Sequence, residues 1–410
     1  MADDTAPRRI LLADCDAYFV QVARLEDPEG AGRERYLLVG GSPHARGVVT
    51  SASYEARRFG VRSGMPMSRA LRLCPRAARV PVPRGACSRK HGEIKEVLAR
   101  FSPVVEPASI DEFYLDLSGT EAVYGGAALG DVATRVRLAV LAETRIEISI
   151  GGGSSRLVAK LAVRKAKPAG VHVVAPGQEA EFLRTLELAA IPGVGPKLQE
   201  TLRRLGMVMV PDALAHGRQA LCDWLGESTG RWLYERIRGI DHTPVETGGQ
   251  AKSVSREETF PRDVHDERQL ETELLELVVR VAGDLRAEHL RARTITVKLK
   301  DADFRIRQAS RTLTAPVQSD RPIFAVAREL LARLRAKRRT GERLVGVALS
   351  QLTTAEGPAQ LSLLEETAEA PLETERDVAL ARALDDARRR FGQDALLPGR
   401  ILPQPGPEGA

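Results

Sequence analysis

The chain is poor in cysteine, in aromatic residues and in long apolar runs, and each shortage excludes something. Its 410 residues hold four cysteines, Cys15, Cys74, Cys87 and Cys222, with no close Cys-x-x-Cys pair. That spacing argues against a disulfide framework or a cysteine-built zinc site and reads as the reduced thiols of a cytoplasmic protein. No stretch of about 18 apolar residues occurs, so no membrane-spanning helix is expected. The acidic start, Met1-Ala2-Asp3-Asp4, lacks the pattern of a secretory leader. The two tryptophans, Trp224 and Trp232, lie eight apart in a helical stretch and read as core rather than as base-stacking platforms. Charge is not scarce: a net +6 favours a polyanionic partner. A chain of this length calls for two to four domains.

What is present is carboxylates at the ends of apolar runs. Ile10-Leu11-Leu12 is followed at once by Ala13-Asp14-Cys15-Asp16, the pattern of a strand delivering acids to a sheet edge. A second run, Ser109-Ile110-Asp111-Glu112-Phe113-Tyr114-Leu115-Asp116, carries another acidic pair. Residues two apart share a strand face, so Asp14 and Asp16 cannot both be dismissed as solvent-facing. Asp111 and Glu112 are adjacent and point to opposite faces, unless a bulge or bend brings both to one ion. Converging carboxylates repel, and the arrangement is tolerable when cations sit between them. The expectation is a two-metal phosphoryl-transfer site. A lone Asp-x-Asp is more often a turn or a solvated strand end, so the reading needs a phosphate-binding partner.

That partner is found in Gly47 to Pro66. A β-branched strand leads into the hydroxyl-rich turn Thr50-Ser51-Ala52-Ser53 and then a short helix, whose exposed amides favour anions. Arg57 lies three residues after Tyr54, so both can occupy one helical face. The bland alternative is a solvated Arg57-Arg58 helix face. A second cation, Lys167 before Pro168, ends the run Arg156 to Ala166, which otherwise reads as a basic amphipathic helix stopped by proline.

Together these motifs resemble the Y-family translesion DNA polymerases, closest to the DNA polymerase IV branch, over about residues 8 to 350. The resemblance implies that Asp14 and Asp111 bind two Mg²⁺ ions, for which Mn²⁺ could substitute, and that Glu112 is the third catalytic carboxylate. Cys15 would lend its backbone carbonyl to the nucleotide-bound metal. Phe19 matches the steric-gate aromatic that rejects a 2′-hydroxyl, a position otherwise read as core. Tyr18, Ser51, Tyr54, Arg57 and Lys167 fall where the family grips the incoming nucleotide. Departures are Val20 and Ala23 beside the gate, Ser51 and Ser53 in the nucleotide turn, and Ala169 after Lys167-Pro168. The stretch Gly151-Gly152-Gly153-Ser154-Ser155 is expected to be unusually flexible.

Further along, Ile191-Pro192-Gly193-Val194-Gly195-Pro196-Lys197 sets a Gly-x-Gly turn before a helix, which resembles a helix-hairpin-helix and allows close backbone approach to a phosphate. The alternative is a tight helix connection. Gly193, Gly195 and Lys197 are the candidate DNA contacts. From 248 the pattern changes to alternating strands, Lys252 to Phe260, Thr294 to Lys300 and Arg343 to Leu349, with helices near Leu270 to Leu290 and Ile323 to Lys337. This β-α-β-β-α-β order matches the family's little finger, with Arg256, Lys298 and Lys300 as plausible phosphate contacts. In the acidic tail, Gln360-Leu361-Ser362-Leu363-Leu364 resembles the short peptide that binds the sliding clamp, anchored by Leu361, Leu363 and Leu364. Asp377 to Phe391 follows as a charged amphipathic helix.

The expected fold is therefore an α+β multidomain right hand: palm at 8–30 and 80–175, fingers at 31–79, a helical thumb at 176–247, a βαββαβ little finger at 248–352 and a flexible tail at 353–410. Primer-template DNA and a dNTP are the expected partners of a monomer that bypasses DNA damage at low fidelity. A noncatalytic adaptor should lack the three acids. A nucleotidyl cyclase would need neither the hairpin motif nor the little finger.

Overall fold

The computed structural model describes residues 7–338, 340–354, 372–392 and 395–401. The chain divides into two compact units, Met1–Gly249 and Gln250–Ala410. Among the described residues no helix is long and apolar enough to cross a membrane. The four cysteines are free and buried.

Among its described residues the first unit contains eight strands: β1 Ile10–Cys15, β2 Leu37–Gly40, β3 Val49–Ala52, β4 Ala78–Val80, β5 Val104–Pro107, β6 Glu112–Asp116, β7 Ile148–Gly153 and β8 Val171–Val173. Five form a central sheet in the order β5-β6-β1-β7-β8, with β1 antiparallel to both neighbours. Burial on both faces explains the unbroken apolar run of β1. Leu11, Ala13, Phe113 and Leu115 pack with residues of the helices Arg84–Ala99 and Leu129–Thr144. Ile10, Leu12 and Tyr114 face the other way, against Ala159 and Val163 of the helix Arg156–Ala166.

The glycine run is not a flexible segment. Gly151 to Gly153 form the buried end of β7, and a Cβ on Gly151 would overlap the backbone of Ala159 and Val163. Absent side chains allow helix and sheet to touch directly. The other face of that helix, Leu157, Val158, Leu161 and Ala162, shares a core with the helices Pro196–Arg204, Val210–Leu214, Arg218–Leu225 and Glu227–Arg236.

A smaller sheet, β3-β2-β4, spans 37–80. Val20 and Ala23, from the helix Tyr18–Glu26, are buried against Leu37 and Val39 of β2. They pack the junction of helix and small sheet instead of walling an open gate.

The second unit contains β9 Ser253–Val264, β10 Leu290–Asp301, β11 Ile306–Val317 and β12 Glu342–Thr354, with the helices Glu267–Ala287 and Asp320–Lys337. Their order is βαββαβ, and the antiparallel sheet runs β11-β10-β12-β9. Ile295, Val297 and Leu299 alternate inward against the two helices.

The tail expected to be flexible is in part folded onto this unit. The helix Glu375–Phe391 places Asp385 in a two-pronged ion pair with Arg286, at 2.6 and 2.8 Å, and Arg286 also meets Asp320 at 2.7 Å. Glu373 accepts from the amides of Gln318 and Ser319 at 2.9 and 2.6 Å. The clamp-like peptide Gln360, Leu361, Leu363 and Leu364 lies outside the described residues.

Candidate active site

Strand register decides which acids meet. Asp14 pairs directly with Glu112 on β6 and with Ser149 on β7, so the three side chains emerge on one face of the sheet. The helix Arg156–Ala166 covers that face and brings two lysines seven residues apart to the acids. Lys160 is ion-paired to Glu112, and Lys167, just past the helix end, lies 2.5 Å from Asp14 Oδ1. Asp111 precedes β6 in a turn whose carbonyl accepts from Cys15 N at 2.9 Å, with its carboxylate bonded to Ser109 Oγ at 2.6 Å.

Among the described residues no three carboxylate, imidazole or thiol groups converge as a ready metal cage. The close gathering of Asp14, Asp111 and Glu112 expected from the sequence is therefore incomplete here, because lysine ammonium groups hold two of the acids. The donor chemistry nevertheless suits a divalent cation: hard carboxylate oxygens, two of them now met by an ammonium stand-in. Burial pushes Asp14 up to about 6, against the pull of Lys167 and with a further push from Glu112. A carboxyl group so placed is short of positive charge.

Asp16, two residues on, is the best-tethered acid. It accepts from the Tyr54 hydroxyl, the Ser149 hydroxyl and the Ala169 amide, each at 2.7 Å. These bonds join the small sheet's helix, the central sheet and the turn after Lys167. Asp16 and Lys160 carry no role in the sequence reading. The available signals were the two-residue spacing from Asp14 and the seven-residue spacing of Lys160 from Lys167.

Tyr54 and Arg57 do share a face: the Arg57 guanidinium lies 4.9 Å from the centre of the Tyr54 ring, and its Nε donates to the Ala52 carbonyl at 3.0 Å. Ser53 caps their four-residue helix by accepting from Ala56 N at 3.3 Å, and Ser51 is buried in β3. Phe19 is half-buried, edge-on to Tyr18 at 5.6 Å. Tyr18 itself is buried, its hydroxyl donating to the Cys87 carbonyl at 2.6 Å. A side-chain contact from Tyr18 to a nucleotide is thereby removed.

The candidate DNA contacts fare unequally. Gly193 and Gly195 are exposed in the turn before the helix Pro196–Arg204, with Lys197 exposed in its first turn. Gly193 has φ +101°, and a Cβ there would stand 2.6 Å from the Trp232 ring. Trp224, expected in the core, is 44% exposed. It lines a cleft of about 740 Å³ together with Tyr114, Lys160, Gly193 and Trp232. Within the second unit, Lys298 and Lys300 emerge on the face of β10 away from the helices, beside the hydroxyl pairs Thr294–Thr312 and Thr296–Ser310. Lys298 is paired with Glu257 at 2.8 Å, and Lys300 sits over Phe304. Arg256 does not join them. It is in register with Val347 on the helix side and is paired with Asp284 at 2.6 Å.

The arrangement is that of acids at the ends of interior strands, flanked by cations and by a tyrosine-arginine pair. Residues 13–164 match the impB/mucB/samB family model and residues 251–363 its C-terminal domain. DNA polymerase IV of Dehalococcoides mccartyi strain CBDB1 is 35% identical over 96% of this chain and 97% of its own. The chain belongs to the Y-family DNA polymerases. DNA polymerase IV of Gluconobacter oxydans is 38% identical over 87% of this chain and 99% of that relative. That of Methanoculleus marisnigri is 39% identical over 85% and 95%. Among solved structures, a Y-family DNA polymerase chimera superposes with a TM-score of 0.77 at 26% identity, over 84% of this chain and 99% of that one. The insertion ternary complex of Dbh DNA polymerase gives 0.60 at 26% identity, over 83% and 98%. The fold is thus the right-hand α+β architecture of this polymerase family, and divalent-metal dependence goes with it.

Proposed function

We propose that this chain is a template-directed DNA polymerase of the translesion type, adding dNTPs to a primer 3′-hydroxyl at a site built by Asp14, Asp111 and Glu112. The observation that carries the reading is the register of Asp14 with Glu112, with the Asp111 turn bonded to Cys15 at the same sheet end. These carboxylates and the Cys15 carbonyl are the donors for Mg²⁺, and Mn²⁺ suits the same oxygens. Two such ions, when bound, activate the attacking hydroxyl and support the leaving pyrophosphate. Lys167, Tyr54 and Arg57 grip the triphosphate, with Ser51 in the strand behind them. Asp16 holds the Tyr54 hydroxyl and the Ala169 amide in place for that grip. Phe19 bars a 2′-hydroxyl.

The palm is the central sheet, the fingers the small sheet, the thumb the helices of 176–247 and the little finger the βαββαβ unit. Gly193, Gly195 and Lys197 meet the backbone of primer-template DNA, as do Lys298 and Lys300. The protein works as a cytoplasmic monomer, and Gln360 to Leu364 bind the sliding clamp. An adaptor without catalysis has no support, since the relatives are named as polymerases.

Primer extension tests the reading. Asp111→Ala is expected to lower single-nucleotide incorporation by about a thousandfold or more, leaving DNA affinity unchanged. Activity surviving in that variant rejects the site. Phe19→Ala is expected to raise ribonucleotide incorporation relative to deoxyribonucleotide by at least about tenfold; an unaltered ratio removes the gate.

A further inference from the structure

Asp111 sits at the end of an exposed connection, 108–111, between β5 and β6. His91, in the helix Arg84–Ala99, reaches this turn from outside it. Its Nδ1 lies 2.9 Å from the Ile110 carbonyl oxygen, and since a carbonyl has no proton to give, Nδ1 is the donor. The same imidazole stacks on Phe113, with ring centres 4.8 Å apart and planes 27° apart.

Ile110 and Phe113 are the residues immediately before and after the Asp111-Glu112 pair. Phe113 is fully buried within β6, so one face of the imidazole is braced on rigid core while its edge holds the exposed side of the turn. The other ties on Asp111 are local to the sheet end: the Ser109 hydroxyl donates to its carboxylate at 2.6 Å and accepts from its amide at 3.3 Å, and the Cys15 amide donates to its carbonyl. Only the long Ser109 contact, made from inside the turn, reaches the peptide that enters Asp111. The His91 bond ties that peptide to the helix Arg84–Ala99.

We infer that His91 is a positioning residue for nucleotidyl transfer: it holds the turn so that the Asp111 carboxylate stands where a divalent cation shared with Asp14 and Glu112 needs it. The inference rests on the reading of those three acids as the metal-holding set. Outer partners that orient metal-ligating side chains alter affinity or activity by about 10–100-fold when removed. His91 touches neither cation nor substrate.

The test uses the full chain bound to primer-template DNA with a 3′-deoxy primer and dNTP. Mn²⁺ binding is followed by electron paramagnetic resonance, and single-turnover incorporation is measured on an extendable primer. His91→Phe keeps a flat ring over Phe113 and loses the donor. His91→Asn keeps a donor close to the Nδ1 position. The Phe variant is expected to weaken Mn²⁺ binding and lower the maximal incorporation rate, each by about tenfold, with half-saturating dNTP changed by less than about twofold. The Asn variant should recover most of both losses.

Wild-type Mn²⁺ affinity in His91→Phe, or an Asn variant no better than the Phe variant, overturns the inference. Should His91→Phe fail to fold, His91→Leu replaces it as the variant without a donor: a loss of about tenfold that His91→Asn recovers supports the role, and wild-type affinity overturns it. Asp111→Ala in the same assays separates the two readings. If it too binds Mn²⁺ and incorporates like wild type, the metal site itself is misassigned. If Asp111→Ala loses both while His91→Phe is unaffected, only the role of His91 falls.

Discussion

Asp14 shows how one side chain carries the electrostatic tension of the site. It is buried beside Glu112, and the ammonium groups of Lys167 and Lys160 relieve it only in part, so its ionised form is the costly one in the folded protein. Because the folded value lies above the ordinary one, the contribution of Asp14 to stability is fully present at low pH and is lost as pH rises through about 6. In metal-free protein, Asp14→Asn should therefore gain stability relative to wild type between about pH 5 and about pH 7.5, by on the order of 1 kcal/mol. Urea unfolding at both pH values measures it; a difference that does not grow with pH contradicts the assignment. As a candidate site, Asp14, Asp111 and Glu112 were legible in the sequence because acids at either end of an apolar strand are conspicuous. Lys160 was not, since a lysine on a basic helix looks solvated until the register of the opposing strand is known. Tyr18 was misread for a similar reason: its neighbour Phe19 is half-buried, but the helix turns Tyr18 into the core.

At the level of elements, periodicity served well and composition misled. The three strands and two helices named between 252 and 349 all appear, with ends moved by a few residues, as where the first helix runs Glu267–Ala287. Arg256 shares parity with Val254, whose side chain packs on the core, so the signal placing it on the helix side was already present. The glycine run before Ser154 was expected to be flexible, although three small residues ending a strand equally announce an approaching helix. Gly151→Val should force that helix away from the sheet and destabilise the first unit by about 3 kcal/mol or more, beyond the usual cost of overpacking. Circular dichroism during thermal unfolding would register it, and a variant as stable as wild type would show that the helix can shift freely. Since Lys160 and Lys167 ride on this helix, incorporation should fall together with stability.

For the whole molecule, composition bounded the number of domains, and the resemblance supplied their identity. The ordered part of the tail was not legible: a charged helix in an acidic segment gives no hint that its aspartate meets a buried arginine more than ninety positions earlier. Removing one member of a buried pair leaves the other uncompensated, so Arg286→Ala should destabilise the second unit by about 3 kcal/mol. Calorimetry of the full chain reads this as a lowered transition, while an unchanged transition would mean that the helix contributes nothing there.

The docked helix also bears on how a compact version of this enzyme should be cut. A truncation at residue 363, where the match to the C-terminal domain ends, looks natural from the sequence, yet it would discard Glu373 and Asp385. The engineered protein would then carry a guanidinium left with Asp320 as its acid partner and two bare amides at the start of the helix Asp320–Lys337, and would invite aggregation through that newly opened face. A trimmed polymerase should keep every residue through Gly392, with fusion partners added beyond it.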